Sequence, residues 1–281
     1  MSNIIIVDGM EVDLKVGSDP EIFVANKSGK LVSAHGMVAG TKDSPTPVAC
    51  GGIQVDGMAL EFNINPASSK AEFISNTQVV MKELTKALPS GHTLKILSTA
   101  QFGKKYIDLQ PESAKELGCS PDFNAYTNGE QNPKPNGELP FRTAAGHVHV
   151  GWTEGSSTQD KEHQFYCQQV VQVMDLLLGV PSVLMDNDQQ RRSMYGQAGS
   201  YRAKAYGVEY RVLSNFWLKN QALMSWVYEQ TELAVKKVLG GFSVQDTQEI
   251  QRVINSSDLK GAKALIRRFD IQLPEKTSYV N

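Results

Sequence analysis

The stretch Arg142–Trp152, which reads R-T-A-A-G-H-V-H-V-G-W, carries the pattern around which the 281-residue chain can be interpreted. As a strand it places His147 and His149 on one face and the apolar residues on the other, because successive side chains alternate. Imidazole binds metals and carries protons, so such a pair indicates either a site or a solvated polar face. The flanking Gly146 and Gly151 are typical of close approach by a ligand or by another backbone. For this segment alone the two interpretations weigh equally.

The composition is that of an ordinary globular protein, with 41% hydrophobic and 21% charged residues. The formal net charge of -2 gives no global attraction to nucleic acid or to an anionic membrane, and no nucleic-acid motif occurs. Cys50, Cys119 and Cys167 lack the C-x-x-C spacing of a zinc knuckle and favour a reducing compartment over a disulfide framework. The N-terminal run N-I-I-I-V is far too short for a signal peptide or a membrane span. We therefore expect a cytoplasmic protein with no nucleic-acid or membrane partner.

Helical periodicity, together with capping and stop signals, predicts five helices. They are a helix from Ser68 or Ser69 to Leu88, a helix from Ser157 or Thr158 that Gly179 and Pro181 end, a helix from Ser214 or Asn215 to Gly240, and two short helices near 244–254 and 258–268. The segment 118–140 is rich in Gly, Pro, Asn and Asp, which predicts a loop or lid. We expect one main domain over residues 1–240 and a small helical appendage over 241–281.

Four predicted strands share one design, in which an apolar face lies opposite a face with carboxylate, imidazole or guanidinium groups. The first of these strands follows a hairpin around Asp8-Gly9. The polar faces carry Asp19 and Glu21, then Glu61, then His147 and His149, and finally Glu209 and Arg211. If the four strands lie side by side in one sheet, the carboxylates converge and raise one another's pKa unless cations neutralise them. Each strand alone is compatible with a solvated edge, but the set together favours a site for Mg²⁺ or Mn²⁺, which prefer oxygen ligands.

Arginines are concentrated just before and within the last of these strands. Arg191, Arg192, Arg202 and Arg211 lie within 21 residues, among several glycines. Guanidinium groups bind phosphate through two parallel hydrogen bonds, so the cluster predicts contacts with a nucleotide such as ATP. Neither G-x-x-x-x-G-K-[ST] nor G-x-G-x-x-G occurs, which excludes binding through a P-loop or a Rossmann turn.

The order of these motifs resembles the COOH-NH2 ligases (amidoligases) of phages and bacteria, in the glutamine-synthetase-like superfamily. The resemblance covers about residues 15 to 240 and rests on G-S-D-P-E-x-F, Glu61 before N-x-N-P, G-H-V-H-V-G, S-Y-R, and Y-G-V-E-Y-R-x-L-S-N-F-W. It implies an α+β fold in which residues 1–240 form a catalytic domain. In that fold a curved, mostly antiparallel sheet carries the site on its concave face and helices pack on its convex face.

The resemblance also implies roles for individual residues and a reaction. Metal ligands would be Asp19, Glu21, Glu61, His147 or His149, and Glu209, while Arg202 and Arg211 would contact phosphate and share the catalytic role with Glu61. The implied activity is an ATP-dependent ligation of a carboxylate to an amine, on small molecules or peptides, through an acyl-phosphate. A homo-oligomer is compatible with this family.

The chain departs from glutamine synthetase at two positions, and two other functions remain open. Asp19 stands where that enzyme has a glutamate, and Gly207 stands where a further arginine is usual. The resemblance therefore supports the metal site more directly than it supports the identity of the substrate. A metal-dependent hydrolase or phosphodiesterase would use the same residues with water as nucleophile, and a phage-associated binding protein would keep the fold without turnover.

Overall fold

The computed structural model describes residues 4–7, 10–115, 122–133, 139–186 and 188–275. The strands are β1 (Ile4–Val7), β2 (Met10–Asp13), β3 (Lys15–Ser18), β4 (Glu21–Ala25), β5 (Leu31–Val32), β6 (Thr46–Val48), β7 (Gly51–Asp56), β8 (Ala59–Ile64), β9 (Thr93–Lys95), β10 (Thr99–Gln101), β11 (Phe123–Asn124), β12 (Glu130–Gln131), β13 (Phe141–Thr143), β14 (Val148–Gly151), β15 (Ser200–Lys204) and β16 (Gly207–Tyr210). The helices are α1 (Lys70–Ala87), α2 (Lys104–Asp108), α3 (Glu112–Lys115), α4 (Lys161–Met174), α5 (Val180–Met185), α6 (Gln189–Arg192), α7 (Gln221–Leu239), α8 (Thr247–Asn255) and α9 (Leu259–Arg268).

A strongly curled antiparallel sheet forms a half-barrel, and helices pack against it. One part has the strand order β12-β11-β15-β16-β14-β3, and the other has the order β5-β4-β8-β7-β6 with β9 also paired to β4. The chain crosses from one part to the other between β3 and β4. This arrangement confirms the predicted α+β fold with a curved antiparallel sheet.

The four predicted site strands do not lie side by side in a single sheet. The strand predicted to carry Asp19 and Glu21 breaks at Pro20, because proline has no N–H for a ladder. The break is bridged by backbone bonds: Phe62 N–H donates to the Pro20 carbonyl at 3.2 Å, and Glu21 N–H donates to the Ala145 carbonyl at 2.9 Å. The site strands therefore divide between the two parts of the curled sheet and still face one concave surface.

The apolar faces of the strands and of α1, α4 and α7 form the main core. Leu60, Phe62, Val148, Val150 and Val208 are buried in the same apolar cluster as the buried faces of these helices. Their positions follow from the period-two alternation predicted for these strands. The polar partners on the same strands are thereby turned toward the concave side.

The predicted helix 157–178 starts later and continues further than expected. Asp160, rather than Ser157 or Thr158, caps α4 by accepting from the His163 N–H, and the helix runs on through a π turn, Asp175–Gly179, into α5. The wider π turn accommodates Pro181 without ending the helix. Gly179 allows close packing, since a Cβ there would lie 2.9 Å from the Tyr210 hydroxyl oxygen.

The other predicted helices are confirmed with one shift. The Ser69 side chain caps α1 by accepting from the Glu72 N–H, and the Glu72 carboxylate accepts from the Ser68 N–H. This pair of bonds corresponds to the predicted capping box. Ser214 caps a 3-10 helix, Asn215–Lys219, and α7 begins only after Asn220. The two short helices are α8 and α9. The helical stretch Lys161–Met185 is long and apolar enough to span a membrane by composition, but 78% of its apolar window is buried inside the fold.

Several remaining predictions concern the chain ends and loops. The opening hairpin is formed by β1 and β2, and its Asp8-Gly9 turn lies outside the described residues, as does part of 118–140. Ile250, Val253 and Leu265 of α8 and α9 are buried in the main core cluster. The division of the chain at residue 240 stays a prediction.

Candidate functional site

The concave face of the curled sheet holds a cleft with a wide lobe of about 620 Å³ and a narrow lobe of about 90 Å³. Asp19, Lys42, Glu61 and Arg202 line both lobes. The other predicted residues that line the narrow lobe are Glu21, His147 and Arg211, and those that line the wide lobe are His149 and Glu209. The sequence-predicted ligand set therefore converges on one concave surface.

A row of side chains crosses four neighbouring strands at the base of the wide lobe. Arg202 is the register partner of Glu209, Glu209 is the partner of His149, and His149 is the partner of Gly17. Asp19 follows β3 and lies beside the same row, with Oδ1 3.0 Å from His149 Nε2 and 3.3 Å from His147 Nδ1. Ligand atoms of Asp19, His149 and Glu209 all lie within 4.8 Å of one another.

Charge holds the two carboxylates of this cluster ionised. Burial would raise the pKa of Asp19, but attraction to His149 and His147 outweighs it and holds the pKa well below its usual value. Burial would also raise the pKa of Glu209, but the Arg211 guanidinium overcomes that effect and lowers it. Both side chains are therefore anionic near neutral pH.

Three cations surround the buried Glu209 carboxylate. Lys204 Nζ lies 2.9 Å from Oε2, Arg202 Nη1 lies 3.2 Å from the same oxygen, and Arg211 Nη1 donates to Oε1. Charge-assisted bonds of this kind are stronger than neutral ones. One carboxylate with three cations leaves a local excess of positive charge on this wall of the cleft.

A tyrosine hydroxyl contacts the second ring nitrogen of each histidine. Tyr195 Oη lies 3.1 Å from His147 Nε2 and accepts a hydrogen bond from Arg211, while Tyr206 Oη contacts His149 Nδ1. The other ring nitrogens, Nδ1 of His147 and Nε2 of His149, face Asp19. Burial and Arg211 lower the pKa of His147 to about 4, so this imidazole is neutral at pH 7 and can act as a ligand.

A second row of side chains carries acidic groups whose negative charge is little compensated by nearby cations. Glu21 and Glu61 are direct register partners on β4 and β8, and Gln54 on β7 is the partner of Glu61 and donates to it at 2.7 Å. Burial and Asp56 raise the pKa of Glu21 to about 7. Burial, Asp19 and Asp56 raise the pKa of Glu61 well above its usual value. Like charges directly opposite each other in a sheet are destabilising, so a bound proton or a cation would stabilise this row.

The donor atoms present fit a divalent metal. Asp19 Oδ1 and His149 Nε2 are buried and have no partner with hydrogen-bond geometry, although they lie 3.0 Å apart. Buried polar atoms without a hydrogen-bond partner are uncommon in folded proteins. Carboxylate oxygens with an imidazole nitrogen are ligands that Mg²⁺ and Mn²⁺ accept. The oxygens of Glu21 and Glu61 add a second set of hard ligands in the same cleft.

Arg191 and Arg192 do not line either lobe of the cleft. Arg191 donates to the carbonyls of Val212 and Leu213 at 2.8 Å each, and Arg192 donates to the Asp186 carbonyl and to Ser182 Oγ. Both side chains are buried. Their guanidinium groups therefore hold loops together and are not placed for the phosphate contact predicted from the sequence.

Sequence reasoning missed several residues of the cleft, chiefly Asp56, Lys204, Tyr195 and Tyr206. Asp56 is the last residue of β7, directly before the two-residue turn to β8, and its carboxylate lines the narrow lobe. Lys204 shares a strand face with Arg202, so period-two alternation could have identified it. Tyr206 begins the motif Y-G-V-E-Y-R and Tyr195 lies outside the quoted motifs, but the contacts of both hydroxyls with the histidines arise only from the fold.

The fold and site together define an α+β protein with a charged cleft on the concave face of a curled antiparallel sheet. Residues 139–272, just under half of the chain, match the family described as phage phiEco32-like COOH.NH2 ligase-type 2, and this match includes the histidine motif and the segment with Arg202, Glu209 and Arg211. No curated protein matches the chain. Among solved structures, the chain is similar to a bifunctional glutathione synthetase from Pasteurella multocida, with 12% identity and a TM-score of 0.45 over 92% of this chain and 49% of that one. The chain thus spans about half the length of that structure.

Proposed function

We propose that this protein is an ATP-dependent ligase that joins a carboxylate to an amine through an acyl-phosphate and requires a divalent metal. The family match supports this reaction class. The observation that carries the proposal is the division of charge in one cleft. Glu21, Asp56 and Glu61 form an under-compensated acidic wall, whereas three cations surround Glu209 on the other wall. A metal matches the first wall and phosphate matches the second.

The metal-holding residues in this proposal are Asp19, Glu21, Glu61 and His149, while Glu209 holds the three cations that would face the phosphates. Bound there, Mg²⁺ or Mn²⁺ would neutralise the charge of the triphosphate. The protein's own contribution is to keep Glu209 ionised through Arg211 and to keep the His147 imidazole neutral.

The size of the lobes suggests which substrate each receives. The wide lobe, about 620 Å³, lies within the range of small-molecule pockets and is bordered by Trp152 and Tyr206, so it suits a nucleotide. The narrow lobe, about 90 Å³, has room only for a small group such as a carboxylate end. Arg202 lines both lobes and lies where the two substrates would meet.

In the first step a carboxylate oxygen attacks the γ-phosphorus of ATP and ADP leaves. In the second step the amine nitrogen attacks the acyl carbon, inorganic phosphate leaves and the nitrogen loses a proton. Arg202 and Arg211 would stabilise negative charge on the transferred phosphoryl group, since catalysis of this step is mostly positioning and electrostatics. The substrates are small molecules or peptides, and the use of ATP agrees with the predicted cytoplasmic location.

The test offers purified protein Mg²⁺ and ATP with pools of carboxylates and amines and measures ADP release. An active pool is then divided until single substrates remain, and the carboxylate is labelled with ¹⁸O. We expect one labelled oxygen to appear in the released phosphate. If the label in phosphate comes instead from ¹⁸O-water while the carboxylate retains its oxygens, the protein is a metal-dependent hydrolase and the ligase proposal fails.

A further inference from the structure

Arg142 presents an unpartnered guanidinium edge at the narrow lobe. It lies on β13, lines this lobe and is only 5% exposed. Its Nη1 donates to the carbonyls of Leu139 at 3.0 Å and Phe141 at 2.9 Å. Its Nε and Nη2 atoms are buried and have no hydrogen-bond partner. Buried donors without partners are rare in folded proteins, and a charged one is especially costly.

The charge of Arg142 also lacks a counterion. Arg202 and Arg211, the other two arginines of the cleft, both pair with Glu209. No carboxylate in the part of the chain that the structure describes lies within ion-pair distance of Arg142. Burial lowers the pKa of its guanidinium, and no acidic group offsets the effect. The missing anion therefore has to come from outside this set of residues.

The two free atoms specify the shape of that anion. Nε and Nη2 form one edge of the planar guanidinium, and this edge matches the two oxygens of a carboxylate. Nη1 is already bonded to two backbone carbonyls, so the group is held in place by Phe141 of its own strand and by Leu139 just before it. Side chains held in this way lose less entropy when a ligand binds.

We propose that the Nε and Nη2 edge of Arg142 binds a second carboxylate of the acyl substrate, so that the substrate class is a dicarboxylic acid. This proposal rests on the proposed function, in which one carboxyl group of the same molecule reacts with ATP. The narrow lobe, at about 90 Å³, has the volume for a small acidic group. Arg142 is thus a specificity residue for the carboxylate substrate and has no contact with the nucleotide.

The test is isothermal titration calorimetry of the full chain with Mg²⁺ and a non-hydrolysable ATP analogue. The probes are the dicarboxylates succinate, glutarate and adipate, each compared with the monocarboxylate of equal carbon number: butyrate, valerate and hexanoate. We expect at least one diacid to bind about 10- to 100-fold more tightly than its matched monoacid, as a charge-assisted hydrogen-bonded pair would give. Arg142→Gln should remove this preference, and Arg142→Lys should keep part of it.

Arg267→Gln, on the exposed face of α9, is the matched control and should leave the preference unchanged. The melting temperature of every variant is measured, because loss of the Leu139 and Phe141 bonds can destabilise the loop. If Arg142→Gln does not fold, Arg142→Lys carries the test, since it keeps a donor and the charge. A variant that melts earlier but keeps the diacid preference of the wild type would show a purely structural role and overturn the proposal.

Two further outcomes separate this proposal from the proposed reaction. Arg142-dependent binding of a diacid without ADP release in the presence of amines would uphold the recognition site and contradict the ligase. Release of ADP with monocarboxylates, unaffected by Arg142→Lys, would uphold the ligase and contradict the dicarboxylic substrate. Equal affinity of the wild type for every diacid and its matched monoacid would also overturn the proposal.

Discussion

His149 Nε2 lies 3.0 Å from Asp19 Oδ1, at the place where the curled sheet changes from one set of strands to the other. Asp19 comes directly after β3, the neighbour of β14, and Pro20 then prevents β3 from continuing. The break turns the chain toward β4, which carries Glu21 opposite Glu61. One proline thus places acidic groups from both parts of the sheet around a single cleft.

The first prediction concerns metal binding by this cleft. Glu61→Gln removes one charge from the acidic row while keeping the size of the side chain, so Mg²⁺ and Mn²⁺ affinity should fall about tenfold or more. Calorimetry with each metal, with and without ATP analogue, measures the change. Glu162→Gln, at an exposed position of α4, is the control. Unchanged affinity in Glu61→Gln would show that this residue is not a metal ligand. The absence of binding heat with the wild type would contradict the metal site itself.

The second prediction is the pH dependence of that binding. Burial and Asp56 raise the pKa of Glu21 to about 7, so below this pH the carboxyl carries a proton that a metal has to displace. Metal affinity should therefore rise as pH increases from 6 to 8. Titrations at several pH values measure the slope, and Glu21→Gln should flatten it. A slope that is the same in this variant would show that another group controls the pH dependence.

The residues that sequence could predict are those fixed by strand alternation. His149 and Glu209 face the cleft because Val148, Val150 and Val208 have to be buried, and the period of two leaves their neighbours no other side. Glu61 follows the same rule, because its neighbours Leu60 and Phe62 are buried on the opposite face of the strand. The Glu61 side chain is itself largely buried. The faces of these strands could thus be predicted locally, whereas the curved sheet was predicted only from the family resemblance.

Other features depend on contacts that no local pattern encodes. Arg191 and Arg202 belong to the same arginine-rich segment, but only the fold shows that Arg191 donates to the carbonyls of Val212 and Leu213. A phosphate-binding arginine and a loop-holding arginine have the same sequence signature. The π turn before Pro181 is equally invisible, because it depends on the packing of Gly179 against Tyr210.

The third prediction concerns Tyr195, whose hydroxyl joins His147 to Arg211. Tyr195→Phe removes the oxygen 3.1 Å from His147 Nε2 and the acceptor for Arg211, but keeps the ring over which both Arg191 and Arg211 lie. The protein should fold, and the turnover number should fall about tenfold or more because both groups lose orientation. ADP release measures the effect once a substrate is found, and the histidine NMR titration should show a changed pKa for His147. Tyr166→Phe, on α4, should change neither property.

The fourth prediction is independent of activity and concerns Asp175 in the π turn. Its carboxylate accepts from the Tyr210 hydroxyl at 2.7 Å and from the Gly199 N–H at 2.6 Å, and burial raises its pKa to about 7. The folded state therefore holds this proton to higher pH than the unfolded state, whose pKa lies near the ordinary value. The stabilisation is fully present at low pH and is lost as pH rises toward 7, by at most about 1.4 kcal/mol per pH unit.

Asp175→Asn should remove this contribution to the slope of unfolding free energy between pH 4 and 7. Urea unfolding at several pH values measures it, and the exposed Asp43→Asn variant is the control. Because the buried carboxyls of the cleft titrate as well, the comparison is the difference in slope between wild type and variant. Identical slopes would mean that Asp175 ionises in the folded protein with an ordinary pKa.

The last prediction concerns Arg211, the residue that connects the Glu209 cluster to the narrow lobe. Its Nη1 donates to Glu209, its Nη2 donates to Tyr195, and its buried Nε has no hydrogen-bond partner and lies 3.9 Å from Asp122. Attraction to Tyr195 and Glu209 raises the pKa of Arg211 against the effect of burial, so the charge is permanent.

Arg211→Lys keeps this charge but loses the planar fork that would orient the phosphoryl group in the proposed reaction. If the fork acts chiefly in the transition state and supplies roughly 3 kcal/mol, kcat should fall by about 10²-fold while nucleotide affinity changes little. Steady-state ADP release and binding of the ATP analogue measure the two effects separately. Arg252→Lys, at the exposed α8 pair with Asp258, is a control that should alter neither. A variant in which nucleotide affinity falls as much as kcat would show that Arg211 binds ATP equally in the ground state, and Arg202 would then be the better candidate for the transition-state contact.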